Sequence, residues 1–240
     1  MEIRVYNDFI STPVNKGRVY EMKLDDGFAK VTNFIFEKYG FVINYYDMET
    51  SFFTNQDRVG EMDYILFNAT LFGRFVGRFD EATVSKLPGT GLMHRPSDKR
   101  SYVNLPCKGY VGLGIGFDYK NFKFFDPGME MAGSDFLRAI ESKYRADGLS
   151  VFCLDDDVMM EMYALQAILD NPDSIDDDKV SAIVSDMLRR LYRVKEIRFT
   201  DVSSEAEPLL EDAVYSRIMS DLSKAPRIDE VCSELNTVKY

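Results

Sequence analysis

Histidine is almost absent from this sequence: His94 is the single one among 240 residues. One imidazole cannot build a three-histidine metal centre, which needs several histidines and carboxylates converging from neighbouring segments. Cysteine is scarce too. Cys107, Cys153 and Cys232 are odd in number and far apart, which suits reduced structural thiols better than a disulfide framework or a zinc site. No apolar run approaches the ~20 residues that cross a bilayer. The opening Met1-Glu2-Ile3-Arg4-Val5 lacks the basic start and apolar stretch of a signal peptide. These absences predict no membrane partner and a cytoplasmic location. There is no Gly-x-Ser-x-Gly elbow, no phosphate-binding glycine loop and no zinc-spaced Cys/His set, so no metal, cofactor or catalytic residue is expected.

An excess of positive charge is missing as well. The net charge is −11, with 20 acids and 19 bases in residues 1–150 against 20 acids and 10 bases in residues 151–240. Phosphate neutralisation supplies most nucleic-acid affinity, so a binder carries a basic patch. The chain taken alone is predicted to bind DNA poorly or not at all. What it does have is 45% hydrophobic and 29% charged residues, enough for a substantial globular core.

From Phe28 to Phe125 the chain reads as short strands. Val31–Phe36, Gly40–Tyr46, Asp63–Leu71, Gly73–Phe79, Ala82–Ser85 and Tyr110–Phe117 are rich in β-branched and aromatic residues and separated by Pro/Gly turns. In the last, Val111, Leu113, Ile115 and Phe117 share one face and Gly112, Gly114 and Gly116 the other. Glycines on one face let another backbone or a ligand come close. These three glycines lack the following helix of a dinucleotide site. Closely spaced strands suggest a jelly-roll β-barrel of the cupin type.

The period changes near Ser134. A short helix carries Phe136, Leu137, Ile140 and Tyr144, and Ser150–Leu154 reads as one more strand. Asp155-Asp156-Asp157 and Asp176-Asp177-Asp178 each precede an apolar helical run, where acids cap and complement the dipole. An EF-hand reading of the first triplet fails for want of the spaced ligands ending in Glu. The second run places Val180, Ile183, Val184, Met187, Leu188 and Leu191 on one stripe. That stripe packs on the chain's own barrel or on a second copy, and periodicity does not choose. The fold class is therefore α+β: a cupin-like jelly-roll barrel, then a C-terminal helical segment.

After a polar stretch at Ser203-Ser204-Glu205, a helix at Pro208–Leu222 is followed by a shorter one at Ile228–Leu235 and a turn at Asn236-Thr237. Ile228-Asp229-Glu230-Val231-Cys232 and Thr237-Val238-Lys239-Tyr240 resemble the opening of the AraC-family DNA-binding domain, with Cys232 for the usual alanine and Thr237 for the usual serine. Gly73-Arg74, Pro88-Gly89-x-Gly91 and Tyr110-x-Gly112-x-x-Ile115 resemble the sensor domains of such regulators. The resemblance implies a sensor barrel at 1–150, a helical dimerisation segment at 151–202, and a linker with the start of a helix-turn-helix domain at 203–240. It implies a homodimer, a small-molecule effector, and DNA contact only through a recognition helix that would follow Tyr240.

Polar residues among the apolar strands are the candidate effector contacts: Arg74, Arg78, His94, Arg95, Tyr102 and Tyr110. An inward arginine would select an anion. The plain alternative is a solvated surface charge for each arginine and a turn or barrel-lining residue for His94. Two other functions stay open: a cupin-like isomerase or dioxygenase, which the lack of a histidine cluster opposes, and an interaction protein with a filled barrel.

Overall fold

The computed structural model describes residues 10–24, 26–53, 64–79, 82–95, 97–98, 100–123, 132–145 and 148–200. The helix-turn-helix reading of residues 203–240 lies outside them. The strands are β1 (Ile10–Val14), β2 (Gly17–Leu24), β3 (Gly27–Phe36), β4 (Phe41–Glu49), β5 (Phe52–Phe53), β6 (Tyr64–Gly73), β7 (Phe75–Phe79), β8 (Thr83–Lys86), β9 (Thr90–His94), β10 (Arg100–Asn104) and β11 (Tyr110–Asp118). They are followed by α1 (Gly133–Tyr144), β12 (Val151–Cys153), α2 (Asp156–Leu169), α3 (Asp177–Arg193) and β13 (Phe199–Thr200).

The strands form a nine-stranded sheet, ordered β1-β2-β3-β4-β11-β6-β9-β12-β13, and a four-stranded sheet, ordered β5-β10-β7-β8. All pairings among the described residues are antiparallel. The architecture is α+β and jelly-roll-like. Its central event is non-local: β11 inserts between β4 and β6, so that Ile115 sits beside Ile43 on one side and Phe67 on the other. The β1–β2 hairpin and β9 went unread in the sequence. The hairpin is exposed on most of one face, and β9 opens on Thr90-Gly91, residues that read as a turn.

The large sheet has two different faces, as the two-residue period of a strand requires. Its outer face carries Phe34, Phe36, Phe41, Ile43, Ile65, Phe67, Leu113, Ile115 and Phe117 into one continuous core with the three helices. Both capping readings hold. Asp155 accepts from Val158 N–H at 2.8 Å at the start of α2, and Asp176 accepts from the Asp178 and Lys179 N–H groups at the start of α3. Arg190 and Arg193 close the last turn of α3, where the dipole favours cations.

Of the two readings of the α3 stripe, burial in the chain's own core is the one seen in this fold. Val180, Val184, Met187, Leu188 and Leu191 are 0–2% exposed in the chain's own core, and Ile183 packs against its edge. Apart from Ile183, these side chains are enclosed within the chain and have no surface left for a second copy. The stripe is the helix's packing face within one chain.

The inner face looks toward the four-stranded sheet. Tyr20, Ala29, Val31, Tyr46, Met48 and Tyr110 meet Phe75, Val103 and Leu105 there. Beyond a gap, Val42, Tyr64 and Leu66 form a second inner cluster with Ile35 at its edge. The outer core is unbroken, whereas the inner lining is in three parts, the third made of Phe79, Val84, Leu92 and Val151.

Candidate functional site

Polar residues fill the gap. Along β3 the inner positions run Val31, Asn33, Ile35; along β4, Val42, Asn44, Tyr46; along β6, Leu66, Asn68, Thr70. Strand register lines them up: Asn33 pairs with Asn44, Asn44 with Gly114, and Gly114 with Asn68. Neighbouring strands lie about 4.8 Å apart, so one row of the sheet presents three amides with a glycine between the second and third.

Asn33, Asn44, Asn68 and Thr70 are 8%, 0%, 6% and 0% exposed. Asn33 Oδ1, both side-chain atoms of Asn44, Asn68 Nδ2 and Thr70 Oγ1 are buried without a hydrogen-bond partner among the described residues. Each buried polar atom left unmet costs roughly 1–3 kcal/mol. Five such atoms at one belt would draw on most of a typical folding free energy of about 5–15 kcal/mol. Native interiors meet such groups with water or a ligand.

Glycine gives the belt its room. A Cβ at Gly114 would stand 2.6 Å from Asn68 Oδ1 and 3.1 Å from the Tyr46 ring, and one at Gly112 would stand 2.4 Å from the Tyr110 hydroxyl. The glycine face of β11 is thus the face over which polar side chains lean, in keeping with the close approach its sequence allows.

The six residues read from the sequence are not gathered into one pocket. Tyr110 is on the inner face, 3% exposed, its ring 5.7 Å from that of Phe75 and its hydroxyl accepting from Lys86 Nζ at 3.3 Å. Lys86 is itself buried, with its ammonium 4.3 Å over the Phe75 ring. His94 is also buried and inward, edge-on to Phe79 at 5.8 Å. Tyr102 lies on β10 across from Arg78.

The three arginines lie elsewhere. Phe75 and Phe79 of β7 pack between the sheets, so alternation puts Arg74 and Arg78 on the opposite parity. Arg78 is exposed, whereas Arg74 is 7% exposed and donates from Nε to Ser85 Oγ at 2.9 Å. Arg95 leaves the sheets and pairs with Glu141 of α1 through Nη2 at 2.8 Å and through Nε. With Ser97, Arg138, Ser142 and Arg145 these two line an open cleft of about 490 Å³.

That cleft is an ion-pair network. Arg145 binds Asp98 at 2.6 Å, and Tyr119 donates to Glu141. Burial pushes the Glu141 carboxyl up, but the bonds from Arg95 and Tyr119 outweigh it and hold the group below its ordinary value. Among the described residues no group of three or more His, Cys, Asp or Glu converges on a point, and no helix is long and apolar enough to cross a membrane.

The asparagines escaped the sequence reading because Asn more often marks turns. The available signal was parity: each stands where the strand's alternation calls for an inner residue. Lys86 escaped because a lysine at a strand end reads as solvated.

No protein-family model matches the chain, and no curated protein matches it. Similar folds do occur among solved structures. The AraC-like transcriptional activator CuxR is 14% identical with a TM-score of 0.43, over 92% of this chain and 76% of that one. ToxT from Vibrio cholerae O395 is 12% identical with a TM-score of 0.36, over 83% of this chain and 71% of that one. A putative ethanolamine utilization protein, EutQ from Salmonella typhimurium LT2, is 14% identical with a TM-score of 0.31, over 46% of this chain and 94% of that one. AraC-like regulators are thus among the solved structures that this chain is similar to over most of its length.

Proposed function

We propose that this chain is the effector-sensing and dimerisation region of an AraC-type transcription regulator. A small molecule binds between the two sheets, and the response passes through the helices to a helix-turn-helix domain whose start lies within residues 203–240. The region has no catalytic role of its own in this reading. The observation that carries it is the belt of unmet polar atoms buried between the two sheets. The resemblance of Ile228–Tyr240 to a helix-turn-helix opening supplies the transcriptional part.

The belt is well placed to signal. Asn44, Gly114 and Asn68 face inward, while their immediate neighbours Ile43, Leu113, Ile115, Phe67 and Ala69 pack in the core shared with the helices. Tyr45, next to Asn44, accepts a hydrogen bond from Gln166 of α2 at 3.2 Å. A ligand that shifts β4, β11 or β6 therefore moves the seat of the helices one residue away. It changes the pairing of two copies only if it binds the two arrangements unequally. With the α3 stripe enclosed, the surface that pairs two copies lies elsewhere on the chain.

The test is a thermal-shift screen against sugars, nucleotides, fatty acids and bile acids, followed by hydrogen exchange on each hit. Unsaturated fatty acids belong in it because one solved structure is of fatty-acid-bound ToxT. The expected result is protection of β4, β6 and β11 together with α2 and α3, and a changed sedimentation coefficient. Silence to every class favours the interaction-protein reading. Stoichiometric iron, manganese or zinc in the purified chain favours the enzyme.

A further inference from the structure

We propose that the belt of Asn33, Asn44, Asn68 and Thr70 binds an uncharged ligand that both donates and accepts hydrogen bonds, as a polyol or an amide does. The inference rests on the reading of the inter-sheet space as an effector site, and it names the ligand's chemistry.

The unmet atoms are of both kinds. Asn33 Oδ1 and Asn44 Oδ1 call for donors, whereas Asn44 Nδ2 and Asn68 Nδ2 call for acceptors. A fatty chain offers neither, and a carboxylate offers acceptors alone. Hydroxyl and amide groups offer both. Side chains spaced about 4.8 Å from strand to strand suit a small ligand with several such groups along its length.

Charge points the same way. Every belt residue is neutral. An anion seated in the row of three amides would be a buried charge with no cation among the residues of that row, a costly arrangement. The buried cation of the inner face, Lys86, stands by the Thr70 end of the belt and is already engaged. It bonds to the Tyr110 hydroxyl, which reaches over Gly112, the partner of Thr70 across the strands, and it lies over the Phe75 ring. Tyr46 supplies an aromatic wall where its ring leans over Gly114.

The contrast between the faces excludes mere packing as the reason for these amides. On the same strands, the outer positions adjoining the belt are Phe34, Ile43, Phe67 and Ile115. An inner face built only for stability would carry apolar residues in the same row, since replacing unmet polar groups by apolar ones of similar shape is neutral or stabilising.

The experiment uses the 240-residue chain labelled with ¹⁵N-asparagine, observing side-chain NH₂ signals during titration with matched pairs. The neutral members are myo-inositol, N-acetylglucosamine and adenosine. Their anionic counterparts are glucuronate, N-acetylneuraminate and adenosine monophosphate, and oleate is added as an unpaired anion. The expected result is that a neutral member shifts the Asn44 and Asn68 signals and its charged counterpart does not. Asn44→Leu should weaken that binding about tenfold or more while raising the melting temperature of the ligand-free chain. Asn68→Leu, on the far side of Gly114, gives the same reading if the first variant fails to fold.

Silence of the belt to every neutral member overturns the proposal. So does a fall in melting temperature for both leucine variants, which would mean that the amides are bonded within the fold. Binding of an anionic member that survives Asn44→Leu overturns it too, yet leaves the effector reading standing. Only silence to neutral and anionic members alike counts against both.

Discussion

Lys143 of α1 closes the C-terminus of α3: its ammonium donates to Tyr192 O at 2.9 Å and to Leu191 O at 3.2 Å, and also bonds to Val194 O. The last carbonyls of a helix have no intrahelical partner and carry the negative end of its dipole. One side chain from a different helix thus satisfies them and ties α1 to α3. Lys143→Met keeps the aliphatic stem and removes the donors. It is expected to cost about 1–3 kcal/mol in urea unfolding, with faster hydrogen exchange in the last turn of α3. Unchanged stability would show that solvent serves those carbonyls equally well.

Glu141 gives the fold a dependence on acid. Its folded-state pKa lies below the ordinary value of 4.5, so its contribution is present in full above that value. The contribution is lost as pH falls through the lower, folded-state value. Unfolding free energy measured from pH 7 downward should therefore drop below about pH 4.5, the ordinary glutamate value. Glu141→Gln should be less stable at pH 7 by roughly 2 kcal/mol, the half-exposed Arg95 limiting the loss. Its profile should also be flatter in acid. A profile parallel to that of the parent would assign the acid sensitivity to other carboxylates.

Leu188 tests the packing role of the α3 stripe. It is fully enclosed, so Leu188→Ala is expected to destabilise by about 2–5 kcal/mol. The double change Val184→Asp with Leu188→Asp should give an unfolded or aggregated chain. A well-folded monomer with native circular dichroism would instead return these residues to an interface between copies.

Gly73 ends β6 with φ +76°, and a Cβ there would lie 1.9 Å from Gly109 O. The left-handed backbone alone costs a non-glycine residue about 1–2 kcal/mol, and the contact with backbone adds to it. Gly73→Ala should lower stability by ~2 kcal/mol or more, read from denaturant midpoints. A smaller change would mean that the loop before β11 shifts freely. The same substitution at Gly89, where φ is +80° but no atom lies within 4 Å, isolates the backbone part.

Much of the fold was legible. The alternation of Tyr110–Phe117, the three- and four-residue steps of Val180–Leu191 and the aspartates before α2 and α3 are local signals. Local backbone geometry turns each into a strand, a stripe or a cap. Of the site, only Tyr110 and His94 were read from the sequence and then placed on the inner face. Asn33, Asn44 and Asn68 lie in three separate segments, and nothing local distinguishes a buried strand asparagine from an exposed one.

The sequence by itself determined which residues share a face, where helices begin, and that catalysis by a histidine cluster is excluded. It could not determine what each face meets. That was decided when β11 entered between β4 and β6, a pairing of segments tens of residues apart. This insertion set the glycine face of β11 among the asparagines and its apolar face under the helices. Periodicity is a property of the local chain, whereas the partner of a face is a property of long-range pairing. For the same reason, the α3 stripe was visible as a stripe but became part of the chain's own core only in the tertiary structure.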